Sequence, residues 1–247
     1  MARKESLVAE SVRIEGGLFP GALLDEIRQG KAKKMEDSDY NIPKGLRLRD
    51  EIGRAFRMAL PLWQDFMSMK HRQGIREMDI VDNWLFPLLS SILGYKDLTR
   101  VPAIKIGDRD FPVTHNSLGN TVPMVLVGPE TELDKSEHRF GYDGLRRSAT
   151  GLIQELLNAG DSYLYGIVSN GVILRLYRDN HSLTRPAFVE IDLERMFTEE
   201  LYAGFELFYQ LLHSSRLIIN RKLHAFCVFF STAAPETGLP VDFSFHC

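Results

Sequence analysis

Between Gly144 and Asp192 the apolar positions change period twice, and the elements they predict follow one another closely. Leu145, Ala149, Leu152, Ile153 and Leu156 recur at helical spacing and predict an amphipathic helix ending near Asn158 and Gly160. Two extended runs come next, Tyr163 to Val168 and Val172 to Tyr177, joined by Ser169, Asn170 and Gly171. Asn-Gly supplies the positive-φ turn that lets antiparallel strands reverse, so a hairpin is expected. A third run, Ala187 to Ile191, leads through Asp192 into another helix.

The remainder of the chain is patterned less sharply. Gly and Pro density over Ile14 to Leu24 leaves room for only a short helix around Leu23 to Ile27. Ile52, Ala55, Phe56, Ala59, Leu60 and Trp63 form one helical face, with Pro61 predicting a bend or a fresh start. A second helix is expected over Asp79 to Leu93, capped by Asp79, stopped by Gly94 and interrupted at Pro87. Val101 to Ile106, Phe111 to Thr114 and Val122 to Val127 predict short strands separated by Gly107-Asp108 and Gly119-Asn120 turns. Met196, Phe197, Leu201, Phe205, Phe208 and Leu212 mark a later helix, with a start near Thr198. Leu223 to Ser231 is a short apolar extended run ahead of a Pro- and Gly-containing tail. The expected fold class is α+β, a mixed β-sheet with flanking helices.

Composition narrows the function classes. The chain has 247 residues, 44% of them hydrophobic, which is enough for one large domain or a domain with a helical appendage. Cys227 and Cys247 make neither a disulfide framework nor a zinc ligand set. No apolar stretch approaches membrane-spanning length and no secretory signal core opens the chain, so a soluble cytoplasmic protein with no membrane partner is expected. Thirty basic residues against 33 acidic ones give a formal net charge of −3, which weighs against autonomous tight DNA binding over a broad face. Lys31, Lys33 and Lys34 are expected to form a solvated surface.

Several chemistries lack their motifs. The chain has no phosphate-binding Gly-x-x-x-x-Gly-Lys-Ser/Thr loop, no Gly-x-Gly-x-x-Gly dinucleotide loop, no Cys/His spacing for zinc and no serine nucleophile elbow. A strand meander followed by a helix and further strands resembles the core of the PD-(D/E)xK nucleases. Such enzymes need Asp/Glu-x-Lys on a strand, because alternate residues share a face and together hold a hard divalent ion and orient water. No lysine here follows an acidic residue by two positions. Asp108, Asp110, Glu130 and Glu132 are scattered acids near the early strands, and Gln154 and Glu155 lie on the predicted crossover helix. His115, His138 and His213 have no evident partner and are expected at the surface, in loops or at a helix end.

The stretch Leu152 to Tyr209, "LIQELLNAGDSYLYGIVSNGVILRLYRDNHSLTRPAFVEIDLERMF" followed by "FELFYQLL", resembles the N-terminal region of adenine-specific DNA methyltransferases from restriction-modification and related phage-defence systems, including DISARM and BREX methylases. Gln154, Glu155, Leu157 and Asn158 match its helix, and Tyr165, Gly166, Ser169 to Gly171 and Leu174 to Leu176 match its hairpin. Arg185, Glu190, Asp192, Leu193 and Glu194 match the family's next turn, strand and helix start. "FPVTH" at Phe111 and "LDK" at Leu133 are looser matches, and the likeness covers residues 45 to 220.

The resemblance implies a restriction-endonuclease-like domain over residues 99–220, preceded by an extension and helical arm over 1–98 and followed at 221–247 by a tail or linker to a missing domain. It also implies that S-adenosylmethionine belongs to that missing methyltransferase domain. Neither the glycine-rich cofactor motif nor Asn/Asp-Pro-Pro-Tyr/Phe occurs in this chain, so no cofactor is expected here. The expected role is non-catalytic: engaging double-stranded DNA, or contacting a methyltransferase domain or defence-complex subunit. Arg146, Arg147, Arg175, Arg178 and Arg185 are the expected phosphate contacts, with Tyr165 and Asn170 shaping a turn. Two alternatives stay open. One is a Mg2+-dependent endonuclease using a displaced set, Asp110, Glu130, Glu132 and Gln154; the other is a protein-binding accessory domain.

Overall fold

The computed structural model describes residues 6–217 except 17, 19, 20, 71, 73, 143, 161 and 180–186. Arg185, the run Leu223 to Ser231 and both cysteines lie outside the described residues. In chain order the elements are β1 (Ser6–Ala9), β2 (Val12–Glu15), α1 (Gly21–Arg28), α2 (Leu48–Lys70) and α3 (Glu77–Ile80), the last continued by π-helical stretches Val81–Leu85 and Leu88–Ile92. Then come β3 (Thr99–Arg100), β4 (Ile104–Ile106), β5 (Arg109–Phe111), β6 (His115–Ser117), β7 (Val122–Leu126) and α4 (Ala149–Ala159). The order closes with β8 (Tyr165–Ser169), β9 (Ile173–Arg178), β10 (Phe188–Asp192), α5 (Leu193–Thr198), α6 (Tyr202–Leu212) and α7 (Ser214–Leu217). Among the described residues, no helix is long and apolar enough to cross a membrane.

Among the described residues, eight strands form one mixed sheet in the order β1-β2-β10-β9-β8-β7-β6-β3, and every pairing in it is antiparallel except β7 with β8. A parallel pair needs a crossover, and α4 supplies it. Ser148 caps α4 by accepting from the Gly151 amide at 3.0 Å. The helix therefore begins later than its apolar spacing suggests, and Leu145, counted on its inner face, stays exposed.

The two faces of the sheet bury different partners. Val125, Val127 and Val168 face Leu152, Ile153 and Leu156 of α4, while Met124, Leu126, Ile167, Leu174 and Val189 pack under α2, α3, α5 and α6. The first 98 residues, expected as an extension and arm, supply β1 and β2 to the sheet and α2 to its covering layer, and the larger core runs from Val12 to Leu217.

Four local expectations need correction. Helix α2 runs through Pro61 as one 23-residue element. Pro61 is exposed, and burial of Ile52, Ala55, Phe56, Ala59, Trp63 and Phe66 offsets its missing hydrogen bond. Asp79 does not cap α3; it sits in the first turn, bound by Arg76 at 2.7 and 3.0 Å. The Gly107-Asp108 turn does form a hairpin, but β4 and β5 make a separate two-stranded sheet, because only their apolar ends find burial against Tyr142 and α4. Finally, the helix start expected near Thr198 falls later: Thr198 ends α5, and the next helix opens after Glu200 at φ +50°.

Two turns show how side chains hold the backbone. At β8–β9 only Gly171 adopts positive φ, +89°, while the Asn170 carboxamide oxygen accepts from the Val172 and Ile173 amides at 3.2 and 2.9 Å. Between β6 and β7, Leu118, Gly119 and Asn120 are all left-handed, and Asp97 stabilises them from outside the turn. Its carboxylate accepts from Ser117 Oγ at 2.6 Å and from the Leu118 and Gly119 amides at 2.9 and 2.7 Å.

The layer over Gly171 is aromatic. Trp63, Phe66, Trp84 and Phe197 stack or meet edge-on with centroids 5.1–5.7 Å apart, and Trp84 Nε1 donates to the Gly171 carbonyl at 2.7 Å. Trp84 lies in the first π-helical stretch. Pro87 has no amide to donate, and the widened turns on either side accommodate its ring where a regular helix would clash.

Candidate functional site

Among the described residues, clefts open where the sheet meets its covering elements, and of the acids and the glutamine singled out above Gln154 and Glu155 each line one. Asp108 and Asp110 are exposed on the β4–β5 hairpin, Asp110 opposite Lys105. Glu130 and Glu132 are exposed in the loop after β7, and Glu132 accepts from Lys135 at 3.2 Å. Gln154 faces a different cleft, on the α4 side of β9 and β10. Among the described residues no three His, Cys, Asp or Glu side chains are placed to hold a metal ion. The displaced acids Asp110, Glu130 and Glu132 are thus not brought together as a metal site; they stand on a hairpin and in a loop, and Gln154 is on the α4 helix.

Two of the arginines expected to contact phosphate, Arg175 and Arg147, are bound to carboxylates of the fold. Arg175 on β9 donates from Nε to Glu190 at 2.6 Å and from Nη1 to both Asp134 oxygens at 2.7 and 2.9 Å, and it lies over the Phe188 ring. Glu190 is also bound by Arg13 at 3.0 Å, which ties β2, β10 and β9 together. Burial opposes the Arg175 charge, but the two carboxylates outweigh it and raise its pKa above the ordinary arginine value. Arg147 donates to Glu155 at 2.5 Å, and Tyr142 bonds the same carboxylate. Arg146 is exposed and reaches only the Ser136 carbonyl, at 2.9 Å. Arg178 is half-buried at the end of β9. Tyr165, assigned to a turn, is instead a buried residue opening β8.

Replacing Arg175 tests this structural role. Arg175→Met keeps the stem and removes the charge, leaving Asp134 to solvent and Glu190 to Arg13. The expected loss is about 2 kcal/mol, below the ~3–5 of a fully orphaned buried charge. Urea unfolding measures it, and a change under ~0.5 kcal/mol, the size of an ordinary surface substitution, would return Arg175 to the pool of available phosphate ligands.

Another cleft, about 500 Å³, lies between α3 and the β6–β7 end of the sheet. At one end Glu77 accepts twice from Arg139 Nη1, both at 2.9 Å; Arg139 also donates to Glu137 at 2.8 Å and to Thr131 Oγ1 at 2.5 Å. The Glu77 side chain passes so close to Gly128 that a Cβ there would meet its Cγ at 3.2 Å. At the other end Arg100 on β3 pairs with Asp82.

His115 forms part of the floor, and it is neither at the surface nor without a partner. It is 3% exposed, and its Nδ1 lies 2.9 Å from Thr114 Oγ1. The Thr114 hydroxyl donates to the Met124 carbonyl at 3.2 Å and accepts the Leu126 amide at 2.8 Å. Its remaining lone pair takes the His115 Nδ1–H, which leaves Nε2 as an acceptor. Burial, helped by nearby Arg100 and opposed by Asp82, lowers the His115 pKa to about 4, so the ring is neutral at pH 7. Nε2 is buried with no hydrogen-bond partner.

Glu77, Thr131 and Asp134 are site residues that sequence reasoning misses. They join the arginines from α3 and from the long β7–α4 connection, so no local spacing marks them. Searches against protein-family models, curated proteins and solved structures find no match to this chain.

Proposed function

We propose that this chain is a nuclease-like domain that engages double-stranded DNA, or holds a partner on it, for a DNA adenine methyltransferase or phage-defence protein, and that hydrolysis is not its task. One observation carries the reading. A metal-dependent hydrolase of this layout needs an acid and a lysine two positions apart at the end of the strand entering the crossover. Here those positions on the α3 side of β7 are Leu126 and Gly128, and Glu77 fills the space over the glycine while bound twice by Arg139. The parallel β7–β8 pair joined by α4 supports the restriction-endonuclease-like topology. On this reading S-adenosylmethionine is bound by a methyltransferase domain elsewhere in the assembly.

DNA engagement rests on sequence-independent phosphate contacts, for which the exposed Arg109 and Arg146 near the α4 end of the sheet are suited. Gel-shift titrations of the full chain with duplex DNA are expected to show binding at low salt that weakens as salt rises. Arg109→Glu with Arg146→Glu is expected to weaken every duplex alike and flatten the salt slope by about two phosphate contacts. Parallel incubations with Mg2+ or Mn2+, with and without chelator, are expected to leave the DNA intact. Absence of both duplex binding and a stable complex with a methyltransferase chain would remove this assignment, and chelator-sensitive cutting would replace it with an endonuclease.

A further inference from the structure

We propose that the cleft floored by His115 is a binding site for a single nucleotide, taking a nucleobase edge against His115 and a phosphate at Arg100. The proposal goes beyond duplex engagement and rests on observations of its own. Buried polar atoms in folded proteins nearly always find a partner, and an orphan acceptor enclosed just beneath the lining of a cleft marks a position for a donor from outside. His115 Nε2 is such an atom. The ring cannot turn to satisfy it internally, because Nδ1 is committed to Thr114, itself fixed by Met124 and Leu126.

The walls determine the class of ligand. Val81, Val101, Pro102, Pro112, Val113 and Leu126 line the space between floor and rim, so the body that fits is largely apolar on its faces. A neutral imidazole acceptor at the floor asks for an N–H or O–H at one edge of that body. Across the β3–β6 pairing, Arg100 stands directly opposite His115, and its side chain is 42% exposed at the rim. Only one of its nitrogens is engaged by Asp82, which leaves N–H groups to reach an anion. A flat heterocycle with an edge donor and an anionic substituent is the chemistry of a nucleoside monophosphate, and 500 Å³ lies within the usual range for small-molecule sites.

Isothermal titration of the full chain with AMP, GMP, CMP, UMP, adenosine and inorganic phosphate tests the site. At least one nucleotide is expected to bind saturably and more tightly than adenosine or phosphate alone. Arg100→Ala, at the surface, is expected to weaken the nucleotide about tenfold or more while leaving adenosine unchanged. His115→Phe is expected to weaken both several-fold. Because that variant replaces a buried residue, Met78→Trp serves as a second arm: Met78 is 53% exposed on the cleft wall, so the indole blocks the space without entering the core. No saturable binding by any nucleotide overturns the proposal, as does binding that survives Met78→Trp and Arg100→Ala undiminished. Duplex binding measured on the same preparations separates the two ideas: its retention with failed nucleotide binding sinks this site alone.

Discussion

Trp84→Ala is expected to destabilise the protein by about 3–5 kcal/mol, the range for deleting a large aromatic from a packed core. Trp84 is fully buried and touches three other aromatic rings, and its indole N–H is bonded to the Gly171 carbonyl. Removing it opens a cavity between the first π-helical stretch and the β8–β9 turn and leaves a buried carbonyl unpaired. The turn is still held in place by Phe66, which lies within 3.5 Å of where a Cβ of Gly171, at φ +89°, would stand. Trp84→Phe restores most of the volume without the donor and is expected to recover more than half of the loss. Chemical denaturation distinguishes the two variants. A loss below ~1 kcal/mol for the alanine variant would mean that α3 and its π-helical continuation are not part of the cooperative core.

Lowering the pH from 7 to 4.5 is expected to cost stability of the same order, through two histidines held neutral by burial. His115 and His213 both have pKa values lowered from 6.5 to about 4. For His213 the causes are burial first and Arg216 second, against Glu51; its ring stacks on Tyr209 at 5.0 Å and its Nδ1 lies 2.9 Å from Ser215 Oγ. The unfolded chain binds more protons than the folded one between these two pKa values. Stability is therefore fully present above pH 6.5 and is lost as pH falls toward 4. A depression of this size corresponds to roughly 3 kcal/mol per histidine as an upper figure. Asp97 and Asp134 do not add to this window. Against the cost of burial, hydrogen bonds from Gly119, Ser117 and Leu118 in one case and from Arg175 and Thr150 in the other hold their pKa values below 3.8, so their contribution disappears at still lower pH. Urea titrations at pH 7.5, 5.5 and 4.5 measure the slope, and His213→Gln is expected to remove about half of it. A flat stability profile from pH 7 to 4.5 would show that neither ring is desolvated in solution.

The same histidines show where sequence reasoning stops. A capped or exposed helix end is the expected place for His213, and it does follow the last residue of α6, but the 3-10 turn carrying Tyr40 folds over it from a distant part of the chain and buries it. His115 stands in a run, Phe111 to His115, whose alternation is visible, yet nothing in that run indicates that His115 would lie beside β3 and line a cleft with α3. Local pattern does place the helix Ala149–Ala159, the β8–β9 hairpin and the strand and helix beyond them, because each is set by contacts within a few residues: Ser148 on its own helix, Asn170 and Gly171 in their own turn, Asp192 on the Arg195 amide. Strand β2 is not legible. Its four residues, Val-Arg-Ile-Glu, are a strand only because β10 offers them an open edge.

What the sequence alone determined is therefore the set of short-range choices: an α+β chain, its main helices, one hairpin, and the absence of an acid-x-lysine pair anywhere along it. Tertiary structure decided everything that depends on which elements share a face. It turned Arg175 from a candidate phosphate ligand into the clasp of three strands, set Arg139 on Glu77 over Gly128, and left one imidazole nitrogen unpaired just beneath the lining of a cleft. The physical reason is range. Periodicity and capping act over three or four residues, whereas burial of a charge or an acceptor is fixed by groups tens of residues away, and burial is what changes their chemistry.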